Sequence, residues 1–177
     1  MTDLPTSPDA LLARLAALGI DAPTVAHEPV FTVEESQTLR GPGAALAGPG
    51  GHCKSLFLKD KKGQLWLVVC LEDRRLDMKA LQPLIGSARL SFGRPDLLFE
   101  VLGVRPGSVT PFSLVNDTGC RVRVVLDAAM LQLAPLHYHP LQNDRTTRIA
   151  PDDLLRFIAA CGHRPLIVDL DAAGGRD

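Results

Sequence analysis

The stretch "GGHCKSLFLKDKKGQLWLVV", from Gly50 to Val69, constrains this chain more than any other. Two apolar runs, "SLFL" and "QLWLVV", flank the polar tip "KDKKG". The pattern predicts a β-hairpin whose loop contains Gly63. Side chains alternate along a strand. A first strand starting near Cys53 therefore places Lys54, Leu56 and Leu58 on one face and Ser55, Phe57 and Lys59 on the other. A lysine in line with two leucines most often snorkels, its stem on apolar surface and its ammonium in water. Here it also starts a strand beside a Gly-rich loop. Such a position can put a cation at the rim of a pocket, facing an anionic group.

Helices and strands interleave around the hairpin. "SPDALLARLAALG" predicts a helix with Ser7 as cap, Pro8 at its first position and Gly19 as its stop. "TVAHEPVF" predicts a short strand. "TVEESQTL" predicts a second helix with a Thr32–Glu35 capping box. "RGPGAALAGPGG" is a loop. "LDMKALQPLIG" predicts a helix interrupted or ended near Pro83, "ARLSFG" a short strand and "RPDLLFEVLG" a helix. "VRPGSVTPFSLVND" predicts a long loop. "CRVRVVLD", "QLAPLHYHP" and "TTRIA" predict strands, "PDDLLRFIAACG" a last helix and "PLIVDL" a last, buried strand. The expectation is an α/β protein of the α+β type: a mixed, largely antiparallel sheet, twisted or barrel-like, flanked by helices. One domain over residues 1–170 and a disordered tail at 171–177 complete it.

Charge and composition narrow the function. The net charge is −1, with 19 basic residues against 20 acidic, which excludes a protein that coats long nucleic-acid duplexes but leaves room for a local contact. The cysteines Cys53, Cys70, Cys120 and Cys161 show no paired zinc-type spacing. No signal peptide and no membrane-length apolar run stand out, so a cytoplasmic protein with reduced thiols is expected. No cofactor is expected.

Several residues carry candidate chemistry. His137 and His139 flank Tyr138 and would share a strand face. Two histidines without a third ligand make a poor metal site, so no metal is expected, but one at a pocket wall can donate or accept a hydrogen bond. His52 beside Cys53 would point to the opposite strand face, so it is badly placed to activate that thiol. Gly107, with Pro111 four residues on, lies in a plain surface loop or in one whose N–H groups bind an oxyanion or a ribose. Asn116 and Asp117 cap a turn or touch a ligand. No phosphate-loop or dinucleotide fingerprint is present.

Together, "HCKSLFLKDKKGQLWLVV", the "GSVTP" loop with "FSLVND", and "HYHPLQNDRTTRIAPDDLLRFI" resemble the freestanding relatives of the bacterial prolyl-tRNA synthetase editing domain, the YbaK-like aminoacyl-tRNA deacylase family. The resemblance runs from about His27 to about Leu170. "LFLKDKKG" and the "HPLxNxxTxxI" pattern are most similar to the branch that removes alanine from mischarged proline tRNA. The resemblance implies that Lys54, Gly107 and His139 are catalytic-site residues and that Ser55, Pro111 and Asn116 bind substrate. That branch usually has Asn where this chain has Ser55, which is shorter and lacks the amide. The implied activity is ester hydrolysis assisted by the substrate's ribose. The implied partner is the acceptor end of tRNA, with prolyl-tRNA synthetase as a candidate protein partner and neither membrane nor DNA. The other readings are a module that binds aminoacyl-tRNA or a synthetase without hydrolysis, and a hydrolase of some other small ester.

Overall fold

The computed structural model describes residues 4–176. Local chemistry sets the first elements. Ser7 caps α1 (Pro8–Ala17), its hydroxyl accepting from the Ala10 N–H at 3.1 Å, and Pro8 fills a position whose N–H would be unpaired anyway. After β1 (Thr24–Ala26), Thr32 caps α2 (Val33–Gln37) by accepting from the Glu35 N–H at 3.1 Å. The return arm of this capping box is displaced by one residue: Glu35 accepts from the Phe31 N–H at 3.0 Å.

The hairpin forms from β2 (Gly51–Asp60) and β3 (Leu65–Leu71), antiparallel, with Lys54 opposite Cys70 and Phe57 opposite Leu67. Asp60 closes its tip by accepting from the N–H groups of Lys62 and Gln64 at 2.9 and 3.1 Å. The expected faces hold. Leu58 packs with Trp66, Val68 and Cys70 on one side, and Phe57 with Leu67 and Val69 on the other. β3 is buried along its whole length because both sides of the sheet are covered there.

The remaining elements are α3 (Met78–Ile85), β4 (Leu90–Phe92), α4 (Pro95–Leu102), β5 (Val122–Asp127), β6 (Leu136–Tyr138), β7 (Arg145–Ile149), α5 (Pro151–Ala160) and β8 (Leu166–Val168). One eight-stranded mixed sheet runs β1-β7-β6-β2-β3-β5-β8, with β4 also on β2. β2/β6, β3/β5 and β5/β8 are parallel, and the other pairs are antiparallel. The larger core joins residues of α1, α4 and α5 to one face, and the smaller joins residues of α3 and the C-terminal segment to the other.

Four local expectations change. α3 continues through Pro83, on the exposed side where the one carbonyl it leaves unpaired meets water, and ends at Gly86. Residues 111–116 are not loop but a 3-10 helix, Pro111–Asn116, because Phe112 and Leu114 belong to the core. β8 is an edge strand and not a buried one, with Ile167 54% exposed. Within residues 171–176, read as part of a disordered tail, the chain is tied down: Ala173 is buried, and the Arg74 guanidinium donates to Asp171 and to the Gly174 carbonyl, both at 2.8 Å, while Asp177 lies outside the described residues.

One irregularity of the sheet positions the site. β2 pairs with β6 only at Gly51 and His52, and with β4 only from Leu58 onward. Between them, residues 53–56 have no strand beside them on that edge among the described residues. The sheet is open at Cys53, Lys54 and Ser55.

Candidate active site

A cavity of about 260 Å³ fills that opening. Its wall includes Lys54 and Ser55 from β2, Gly107 and Val109 from the loop after α4, His139 from beyond β6, and Phe31 and Ser36 around α2. A recess of about 40 Å³ continues inward past Ser55 and His139 to His52 and His137. Four of the residues singled out from the sequence, Lys54, Ser55, Gly107 and His139, therefore converge from separate segments.

The other two do not line it. Pro111 is buried at the start of the 3-10 helix, where it ends the Gly107 loop. Asn116 is a fastener. Its Nδ2 donates to the Leu102 carbonyl at 2.9 Å, and its Oδ1 accepts from Thr6 at 2.6 Å. It ties the C-terminus of α4, as a short amide side chain next to orphan helix carbonyls is suited to do. A much larger concavity, about 830 Å³ and lined by Lys59, Trp66 and Arg123, lies at the hairpin tip and holds none of the six.

Each converging group is held by something specific. The Lys54 ammonium donates to the carbonyl oxygen of Arg74. Arg74 is fully buried and donates from Nε to Asp127 at 2.9 Å. Burial works against its charge, but Asp127 and Asp171 outweigh it and leave the guanidinium pKa raised. Thus a buried ion pair fixes the backbone that fixes the lysine. Gly107 has φ +88, a left-handed conformation that disfavours other residues, and a Cβ there would stand 3.1 Å from the Phe31 ring. The Ser108 N–H is spent on the Arg105 carbonyl at 3.0 Å. The N–H groups of Gly107 and Val109 have no backbone partner among the described residues.

His139 has its tautomer set by geometry. Its Nδ1 lies 2.9 Å from the Arg145 carbonyl, which can only accept, so Nδ1 carries the proton and Nε2 keeps a lone pair. Burial, with His27 nearby, lowers its pKa, so the ring is a neutral acceptor. The same logic applies deeper. His137 Nδ1 donates to the Gly51 carbonyl at 3.1 Å, and its ring stacks on His52 with centroids 4.1 Å apart. Burial, then His137, Arg40 and Arg148, push the His52 pKa down to about 3. Arg40 is itself held by Glu72, donating from its second terminal nitrogen at 2.6 Å. The Cys53 thiol is pushed up to about 12, chiefly by burial, so it is no nucleophile and packs against the larger core. Nothing local in the sequence marks Arg40, Glu72 or Arg74, because the ion-pair partners lie 32 or more positions away.

Chemically, the opening offers a fixed cation, two N–H groups without backbone partners, a neutral imidazole acceptor and a serine hydroxyl around a small cavity. It contains no Ser–His–Asp constellation. The model of the aminoacyl-tRNA editing domain matches residues 27–157, which span this whole constellation. Prolyl-tRNA synthetase associated domain-containing protein 1 of Mus musculus is 40% identical over 167 residues, covering 89% of this chain and 93% of its own. The prolyl-tRNA editing protein ProX of Acetoanaerobium sticklandii is 34% identical over 162 residues, covering 91% and 96%. A crystal structure of a hypothetical protein superposes with a TM-score of 0.69 at 21% identity, over 89% of this chain and 97% of that one. No helix among the described residues is long and apolar enough to cross a membrane. The chain belongs to the aminoacyl-tRNA editing domain family.

Proposed function

We propose that this protein is a trans-editing deacylase, a single editing domain that hydrolyses the ester of mischarged tRNA in the cytoplasm, with alanine on proline tRNA as its substrate. The observation that carries the reading is the convergence of Lys54, Ser55, Gly107 and His139 on one small cavity at the opening of the sheet. An ester needs modest help: a placed water and a stabilised oxyanion. Lys54 holds a phosphate or ribose oxygen of the terminal adenosine. The Gly107 and Val109 N–H groups face the developing oxyanion, and the terminal ribose hydroxyl orients the water. His139, a neutral acceptor at Nε2, hydrogen-bonds the substrate and is not an obligatory general base. Ser55 takes the place of the usual Asn at the mouth of the inner recess.

The recess supports the choice of amino acid. It is the smaller of the two spaces, about 40 Å³ against about 260 Å³ for the outer cavity, and so favours a small side chain. The alanine methyl is the group placed there, and the bulkier proline ring is disfavoured. Pockets separate small apolar groups by only about 1–3 kcal/mol, which is the reason for an editing step. The near-neutral surface suits docking of the acceptor end alone, and prolyl-tRNA synthetase is the natural protein partner. Initial rates of alanine and proline release from proline tRNA test the reading. Alanine should be released well above the spontaneous rate and proline should be spared. Equal release of both would remove the specificity claim. Release from a bare alanine ester as fast as from tRNA would point to a general esterase.

A further inference from the structure

Phe31 is the most exposed large apolar side chain among the described residues, at 68%. Single exposed apolar residues are common and mean little by themselves. Its place gives it meaning. The ring belongs both to the wall of the 260 Å³ cavity and to that of a neighbouring groove of about 490 Å³, so it forms the ridge between them. The groove's lining includes Pro29, Pro106, Leu141 and Asn143, with Arg105 and Asp144 as charged members.

No packing role accounts for the ring. Phe31 precedes the Thr32 cap, the position from which a hydrophobic staple reaches the fourth helical residue, but that residue is the polar Ser36. The backbone beneath the ring is nevertheless pinned. The Phe31 N–H donates to Glu35 at 3.0 Å, the Val30 N–H donates to the Asn143 carbonyl at 3.1 Å, and Asn143 Nδ2 donates to the Val30 carbonyl at 2.9 Å. On its inner side the ring lies over Gly107. An aromatic face is thus held out to solvent at the mouth of the cavity.

We infer that Phe31 is a stacking platform for the terminal adenine of the tRNA 3′ end, with the base lying in the groove beyond it. This rests on the proposed function, because an ester carbonyl between Lys54 and the Gly107 loop leaves the base one ribose away, at the rim. Stacking of a base on an aromatic ring is tolerant of sequence and contributes to binding rather than to bond cleavage. Phe31 is therefore a positioning residue.

Two measurements test it. In alanine release from proline tRNA, Phe31→Ala should raise KM about tenfold with kcat changed less than about twofold. Phe31→Trp should restore KM, and Phe31→Leu, apolar but without a π face, should not. Separately, an uncharged acceptor-stem hairpin carrying 2-aminopurine at its 3′-terminal position should lose fluorescence on binding to wild type and to Phe31→Trp, and not on binding to Phe31→Ala. Equal quenching by Phe31→Ala, or full rescue by Phe31→Leu, would overturn the stacking role. The fluorescence assay needs no hydrolysis. Quenching that depends on Phe31 in a protein that releases no alanine would overturn the deacylase reading and leave the platform standing.

Discussion

Arg74 shows how much of the site rests on a residue outside it. Its carbonyl receives the Lys54 ammonium, while its side chain, fully buried, is paired with Asp127 and Asp171. Removing one member of a buried ion pair leaves an uncompensated charge and costs about 3–5 kcal/mol. Arg74→Ala should therefore lower the stability measured by urea unfolding by about that much, and a loss under about 1 kcal/mol would show that water reaches the pair. His139→Ala should act differently. It removes one acceptor from the cavity, so kcat/KM should fall about 10- to 100-fold while the urea midpoint moves little. The contrast reflects what the sequence could reveal. Lys54, Ser55, Gly107 and His139 are legible because each sits in a motif that resembles the editing family's. Asn116 sat in the same pattern but serves the end of α4. Arg74 sat in none, because its partners are brought to it only by the fold.

At the level of elements, α2 is the weak member beside the cavity. Helices this short do not persist alone in water, so its five residues depend on the Thr32 cap, the Glu35 bond to Phe31 and the anchoring of Arg40 by Glu72. Thr32→Ala should cost about 1 kcal/mol locally. Amide exchange should quicken across residues 31–40 with little change in the core strands, and KM should rise as the cavity wall loosens. Unchanged exchange in that segment would mean that α2 is held by its contacts alone. Elements with strong periodicity or caps, namely the hairpin, α1, α4 and α5, were legible in the sequence. The 3-10 helix Pro111–Asn116 was not, since turn residues conceal that Phe112 is fully buried. Nor was the edge position of β8, because an apolar triplet reads alike in the middle of a sheet and at its margin.

Across the whole molecule, the histidines set the response to acid. His52, His137 and His139 all have lowered pKa values, chiefly through burial, so the folded state holds them neutral where the unfolded chain would protonate them. The unfolded state then binds more protons below about pH 6.5, and stability falls with pH in that range. For His52 the stabilisation is complete above its unfolded pKa and is lost progressively down to about 3. Urea midpoints should fall from pH 7 to pH 4, and His52→Gln should flatten that slope. A slope identical to wild type would contradict the burial of a neutral His52. The opening between β4 and β6 belongs to this scale too. It depends on where β4 and β6 pair along β2, and no local stretch of sequence encodes it. The most direct measurement is single-turnover release of alanine from proline tRNA by wild type and Lys54→Ala, beside the spontaneous rate. Rapid release by wild type, and release by a folded variant slowed about 100-fold or more, is the predicted result. Release by Lys54→Ala at the wild-type rate, or none by wild type above the spontaneous rate, would contradict a hydrolytic site built on Lys54.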